Sequence, residues 1–411
     1  MAAPRVALYL HVPFCRTKCD YCDFSSATNA GDPLPDEGIA WVVRRDLGDD
    51  ATLADAYCEA VPLYLQEFVD RGLLGSVPSV YVGGGTPTAL GDRLPAMLER
   101  VLSMVTLEPG AEVTVEANPD SLTPELIAAL IAAGATRFSL GVQSFDDATL
   151  ADLGRCHDSA QALAACRMLA DASADFSVDL MCGVPGLSAE AWERTLDTAL
   201  QTGADHLSVY PLSVECGTPL DARIDEGTAE QPDPDEAAAQ MALAEKRLLE
   251  AGFERYEVAS YARGGRRARH NVGYWTGMPY LGVGPGASSM LPVPLAHLTP
   301  MDHYTRTWPE TWRARFILND TLMSFLGYLW DRQPASLEPL TDIEAVREDA
   351  MLGLRLSDGI TEELAEKAGV VTVLESLAGR GLVEQVDGHW RTTRQGWLLG
   401  NEVFSAVWAG E

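Results

Sequence analysis

Three cysteines fall within eight residues, in His11-Val-Pro-Phe-Cys15-Arg-Thr-Lys-Cys19-Asp-Tyr-Cys22-Asp-Phe24, a C-x3-C-x2-C spacing. Thiolate sulfur is a soft donor, suited to zinc or to iron–sulfur clusters. Structural zinc takes four ligands, and no further Cys or His follows Cys22 at similar spacing, so His11 or a distant residue would have to complete such a site. Three thiolates in one loop suit a [4Fe–4S] cluster with one iron left open for a ligand. Downstream, Gly83-Gly84-Gly85-Thr86-Pro87 offers backbone N–H groups unshielded by side chains, which can hold a ligand's carboxylate or amine. Glu116, Gln143 and Asp179 each close an apolar run, and Arg155 follows in Leu-Gly-Arg-Cys-His. Taken singly, each is equally a satisfied loop residue. His270 can ligate heme iron, Tyr274 and Trp275 offer flat faces to a porphyrin, and Arg263, Arg266, Arg267 and Arg269 can pair with propionates. A core histidine with an aromatic pair and a solvated arginine loop is the plainer reading of the same residues.

Side chains so far apart in sequence need a framework to bring them together. Short apolar runs at Val6–Val12, Ser79–Val82, Glu112–Glu116, Arg137–Val142, Phe176–Leu180 and His206–Tyr210 read as strands. Helical patterns lie between them, at Tyr57–Arg71, Pro124–Ala133, Ala160–Leu169 and Ala189–Gln201, several followed by a glycine suited to a helix C-terminus. The alternation predicts an α/β fold, a partial (β/α)6 barrel of the TIM type, with an open wound sheet as the alternative. In either fold, polar groups at the strand ends gather on the carboxyl rim, where barrels place their sites. Residues 1–290 read as this core, with an acidic insertion near 30–57, and a second acidic stretch covers Asp221–Glu236. Residues 291–340 read as a connection. From 341 to 411 a small helical, winged-helix-like module is expected: helices at Ile343–Leu354, Thr361–Gly369 and Val371–Gly381, then a hairpin about Asp387-Gly388.

Composition excludes several classes. With 30 Lys and Arg against 60 Asp and Glu, the net charge of −30 argues against nucleic acid and against an anionic membrane surface. At 47% hydrophobic and 22% charged, the chain has an ordinary globular composition, and no run approaches the length of a membrane span. The N-terminal residues lack an apolar signal core, so a cytoplasmic, reducing location is expected, where clustered cysteines bind metal rather than form disulfides. Cys58, Cys156, Cys166, Cys182 and Cys216 read as small buried side chains.

The cysteine loop after a first barrel strand resembles the radical S-adenosylmethionine (SAM) superfamily. The resemblance implies a [4Fe–4S] cluster on Cys15, Cys19 and Cys22 whose open iron is chelated by SAM, and one-electron chemistry at the SAM sulfonium. A longer series of motifs narrows it: Tyr9-x-His11-x-Pro13-Phe14-Cys15, GGGTP, Glu116-Ala-Asn-Pro119, Gly141-Val-Gln-Ser-Phe145, Leu153-Gly-Arg-x-His157, Asp179-Leu-Met181 and His270-Asn-Val-Gly-Tyr-Trp275. In that order they resemble the oxygen-independent coproporphyrinogen III oxidase-like family over roughly residues 6 to 290, and more weakly into the C-terminal module. By that resemblance Tyr9 and Tyr21 flank SAM near the cluster, and Gly84, Gly85 and Thr86 hold its methionine end. Glu116, Gln143, Arg155 and Asp179 line the rest of the site, while His270, Asn271, Tyr274 and Trp275 handle heme.

Two branches of the family remain. The oxidases carry another Cys two residues after the third ligand, where this chain has Phe24, and they have a long N-terminal extension, whereas 14 residues precede Cys15 here. Those differences and the intact H-N-x-x-Y-W motif favour the heme-chaperone branch, with an acceptor protein as partner and a reductant such as flavodoxin or ferredoxin. The alternative is an oxidase that converts two propionates to vinyl groups. A simple electron carrier fits poorly, because carriers ligate every iron. One departure from relatives is Ser288, in Gly284-Pro-Gly-Ala-Ser288, where they often have His.

Overall fold

In a computed structural model that describes residues 3–301, 311–327 and 334–410, all six apolar runs form strands. These are β1 (Ala7–Val12), β2 (Val77–Gly84), β3 (Leu107–Ala117), β4 (Arg137–Gln143), β5 (Phe176–Cys182) and β6 (His206–Pro211). They lie side by side in chain order, every neighbour parallel. Parallel neighbours need long crossovers, and helices Leu53–Asp70, Arg93–Met104, Pro124–Ala132, Ser159–Asp171 and Ala189–Leu200 supply them in turn.

Strand periodicity sorts the side chains onto two faces. Leu8, Leu10, Val80, Val82, Val113 and Val115 belong to the large buried core, together with apolar faces of the crossover helices. Their alternates, among them Tyr81, Thr114, Glu116, Ser139, Asp179 and Ser208, surround one internal space. Register makes them adjacent: Tyr9 faces Tyr81, Tyr81 faces Thr114, Glu116 faces Ser139, and Asp179 faces Ser208. An α/β unit with a polar lumen results, and that lumen positions the site.

The sheet extends past the six strands to twelve. Beside β1 lies β9 (Tyr280–Val283), parallel, followed by antiparallel β10 (Ser288–Pro292), β11 (Thr311–Ile317) and β12 (Ser336–Thr341). Beside β6 lie β8 (Ser260–Ala262) and β7 (Glu254–Arg255), both antiparallel to their neighbours. The segment 291–340, expected as a plain connection, thus supplies β11 and β12; its residues 302–310 and 328–333 lie outside the described ones. Helix Leu53–Asp70 begins four residues before the expected Tyr57 because Thr52 and Asp55 form a reciprocal capping box, so the acidic insertion ends inside a helix.

From 342 onward the chain builds a second core around Leu354, Leu374, Val403 and Val407. Helices Asp342–Gly353, Glu362–Ala368 and Val371–Gly379 precede the hairpin of β14 (Val383–Val386) and β15 (His389–Thr392), and a short β13 (Ile360–Thr361) completes its sheet. Helix Gly400–Ala409 closes the module. Among the described residues, no helix is long and apolar enough to cross a membrane.

Candidate functional site

β1 delivers the chain directly into the cysteine loop, and backbone hydrogen bonds fix that loop against the end of β2. Cys15 N donates to Ala27 O (2.9 Å), Thr86 N to Phe14 O (2.6 Å) and Gly85 N to Val12 O (2.8 Å). The approach is close enough that a Cβ at Gly85 would stand 2.6 Å from Phe14 O. Gly84 has φ 107°, and a Cβ there would meet the His11 ring at 2.7 Å. Part of what the glycine triplet does is therefore internal, letting the strand end pass under the loop.

His11 does not complete a zinc site. Both its ring nitrogens are engaged, Nδ1 with Tyr9 Oη (3.0 Å) and Nε2 with Ser25 O (2.9 Å). Among the described residues, no three His, Cys, Asp or Glu side chains converge as a single ion requires. A cubane distributes its cysteine ligands over different irons and needs no such convergence. The sulfurs also have the donors that stabilise ligated thiolates: Arg155 Nη1 donates to Cys19 Sγ (3.2 Å) and Thr86 Oγ1 to Cys15 Sγ (3.5 Å). The donor set fits a three-cysteine cluster.

The three cysteines share one cavity of about 380 Å³ with Tyr21, Gly84, Gly85, Thr86, Glu116, Gln143, Arg155 and Asp179. Tyr9 is not on its wall; the Tyr9 ring leans on Tyr81, 6.2 Å between centroids. Gln143 sits where β4 slips register against β5 and adopts φ 67°, a left-handed backbone uncommon for a non-glycine residue. Asn118, not singled out from sequence although it stands inside the Glu116–Pro119 motif, joins two parts of the wall. Its Nδ2 donates to Thr86 Oγ1 (3.0 Å), and its Oδ1 accepts from Arg155 Nη2 (3.0 Å). Met181, the end of the Asp179–Met181 motif, and Tyr210, which belonged to no motif, also line the cavity.

Two carboxylates of the cavity wall hold their protons more tightly than solvated ones do. Burial, and then the neighbouring Asp179 charge, raise the Glu116 pKa to about 7, although Tyr81 Oη (2.6 Å) and Gly84 N (3.1 Å) both donate to it. Burial raises Asp179 to about 6, against hydrogen bonds from serine hydroxyls. Asp179 Oδ1 and Arg155 Nε are buried without a partner. Such atoms in a cavity wall are the ones a ligand satisfies.

The H-N-x-x-Y-W motif forms helix Arg269–Trp275, whose first N–H groups are held by the Glu112 carboxylate (Arg269 N 3.0 Å, His270 N 2.9 Å). His270 is not open to iron here. It is 1% exposed, with Nδ1 on Ser79 Oγ and Nε2 on Tyr274 Oη, both at 2.9 Å, and burial lowers its pKa to about 3. Asn271 reaches the polar lumen, whereas Tyr274 and Trp275 face a different cavity toward the C-terminal module. The arginine patch is likewise committed: Arg263 pairs with Asp205, Arg266 with Asp175, Arg267 with Asp358 and Arg269 with Glu112. Ser288 opens β10, beside Tyr280. Of the cysteines expected to be buried, Cys166 and Cys182 are, Cys58 is half-buried, and Cys156 and Cys216 are exposed.

A radical SAM superfamily model matches residues 9–199, and a HemN C-terminal domain model matches residues 340–399. The heme chaperone HemW of Mycobacterium tuberculosis is 38% identical over 86% of this chain and 82% of its own length. The chain belongs to the HemW family of radical SAM proteins. Other similar proteins are HemW of Bacillus subtilis, 29% identical over 97% of this chain and 98% of that one, and the mouse mitochondrial radical S-adenosyl methionine domain-containing protein 1, 37% identical over 88% and 76%. The structure of Escherichia coli coproporphyrinogen III oxidase (HemN) superposes with a TM-score of 0.72 at 19% identity, covering 98% of this chain and 90% of that one, and so shares its fold. Membership of the HemW family accounts for the two cores, since the radical SAM match spans β1 to β5 and the HemN C-terminal match falls on the C-terminal module.

Proposed function

We propose that the protein is a heme chaperone: it holds a [4Fe–4S] cluster on Cys15, Cys19 and Cys22, binds SAM in the adjoining cavity, and carries heme to an acceptor protein. The observation that carries the cofactor assignment is that one cavity joins three thiolates, a glycine strand end and two carboxylates of raised pKa. Heme transfer rests on likeness to the HemW proteins and on Phe24 in place of a further cysteine. When bound and reduced, the cluster would supply an electron to the SAM sulfonium. The remaining roles belong to this chain. Glu116 and Asp179 offset the positive charge of the ligand, and Asn118 fixes Thr86 and Arg155 relative to one another; the N–H groups of Gly84, Gly85 and Thr86 already donate to Glu116, Val12 and Phe14, so that strand end meets the ligand's amino group through carbonyls rather than N–H groups.

Anaerobic reconstitution followed by incubation with reductant, SAM and coproporphyrinogen III tests the reading. Porphyrin mass should be unchanged while added heme is bound. Formation of protoporphyrinogen would establish an oxidase and overturn the chaperone assignment.

A further inference from the structure

Between Asp221 and Glu236 stand seven acidic residues and one basic residue, Arg223. The stretch begins inside helix Pro219–Asp225, and the local backbone is built to aim that arginine. Thr218 caps the helix by accepting from Asp221 N (3.2 Å). After Gly227 the chain folds back, and the Arg223 carbonyl accepts from Thr228 N (2.8 Å) and Ala229 N (3.0 Å).

The arginine meets the cysteine loop, 203 residues earlier. Arg223 Nη1 donates to Asp20 Oδ2 (2.8 Å), and Leu220 N donates to Asp20 O (2.8 Å). On the other side Asp20 N donates to Leu153 O (3.4 Å), and Gly154 approaches so closely that a Cβ there would stand 2.9 Å from Asp20 Oδ1. Asp20 is therefore clamped between the helix and the turn that carries Arg155, itself the donor to Cys19 Sγ. A gap of about 260 Å³ remains among Tyr21, Leu153, Leu220 and Ala229, so hydrogen bonds rather than close packing join helix to loop.

Asp20 directly follows Cys19, which puts a carboxylate next to a ligating thiolate. Net charge and hydrogen bonding around an iron–sulfur cluster set its reduction potential. An unmatched carboxylate there would disfavour the reduced, more negative state, and Arg223 offsets it. The two side chains are 39% and 31% exposed, and an ion pair so exposed adds little to global stability. Its effect is local to the loop.

We propose that helix Pro219–Asp225 braces the cysteine loop and that Arg223 is a positioning residue for the cluster, fixing the Cys19–Cys22 segment through Asp20 and neutralising the carboxylate beside it. The inference rests on the cluster reading and gives the second acidic stretch a part in it.

The test uses the reconstituted full-length protein, with the rate of iron loss to a chelator and the cluster midpoint potential as readouts. Arg223→Gln and Asp20→Ala should each speed iron loss about tenfold by removing one charge-assisted hydrogen bond, and the double variant should go no further. Their potentials should move in opposite directions, lower for Arg223→Gln and higher for Asp20→Ala, whereas mere loosening of the loop would move both the same way. Arg223→Lys should restore the wild-type potential, and all variants should keep the wild-type melting temperature. If the wild type holds a cluster and Arg223→Gln matches it in both readouts, or if the two single variants shift the potential in the same direction, the brace is overturned and the cluster reading survives. If the wild type takes up no iron, both fall together.

Discussion

Glu116 and Asp179 should make SAM binding release protons, by an amount set by their burial. Their pKa values of about 7 and about 6 both lie above the ordinary carboxylate range, so near neutrality the ligand-free site keeps protons that a solvated carboxylate would have lost. At pH 6.5, Glu116 is about three-quarters protonated and Asp179 about one-quarter, together about one proton. A cationic ligand placed against them restores the charged forms and expels that proton. At pH 8 only about one-tenth of a proton remains to be expelled. Calorimetric titration of SAM in buffers of different ionisation enthalpy counts the protons. SAM's own amino group and the cluster contribute equally in a Glu116→Gln variant, which keeps the side-chain shape and one acceptor for Tyr81. The difference between the two proteins is therefore the readout: about three-quarters of a proton at pH 6.5, vanishing by pH 8. Equal release from both proteins at pH 6.5 would refute the placement of Glu116 against the cation.

Three further outcomes follow from the same geometry. Cys22→Ala should lose iron and the cluster absorption on reconstitution, measured by metal analysis, and zinc in the wild-type protein would count against the cluster. Asn118→Ala removes both hydrogen bonds that join Thr86 to Arg155, so SAM affinity should fall about ten- to a hundredfold, from about 1.5–3 kcal/mol, while iron content holds. His270→Ala strips the Ser79 and Tyr274 hydroxyls of a buried partner and leaves a cavity, so it should destabilise the protein by about 2–4 kcal/mol in chemical denaturation.

The six wound strands were legible because they obey two periods at once: valine and leucine toward the crossover helices, and a polar alternate toward the lumen. The edge strands were not. Glu254–Arg255 and Ser260–Ala262 are two and three residues long, too short to show any period, and β11 and β12 draw their ladder from antiparallel pairing across a stretch rich in proline and polar residues. Helix Leu53–Asp70 was read short at its start because Asp49, Asp50 and Asp55 belong to an acidic stretch that looks like loop, whereas the Thr52/Asp55 box decides where it begins. Cluster ligands were visible in their spacing alone. Asn118 was visible only as part of a motif, since its role comes from the fold bringing Thr86 and Arg155 to either side of it. His270 shows the same dependence on the fold: a histidine before an aromatic pair reads as a ligand from sequence, and only the structure shows Ser79, 191 residues earlier in the chain, on its Nδ1.

The two cavities lie at opposite ends of the strands, and that separation bears on whether the protein reacts with a tetrapyrrole or stores one. Cys15–Cys22 and Gly84 follow the carboxyl ends of β1 and β2, whereas His270 is held by Ser79 and Glu112, in the amino-terminal half of β2 and near the middle of β3. Between the ends stands a row of rings: Tyr280 and Tyr274 with centroids 4.7 Å apart, Tyr274 and His270 at 4.9 Å, and His270 and Tyr81 at 5.1 Å, with the Tyr81 hydroxyl on Glu116. Those rings, of which His270 is fully buried, stand between the two cavities. Radical hydrogen abstraction needs the reacting atoms in contact, so a molecule held beside Trp275 would be out of reach of one held beside the cysteines. The arrangement suits a protein that delivers heme unchanged.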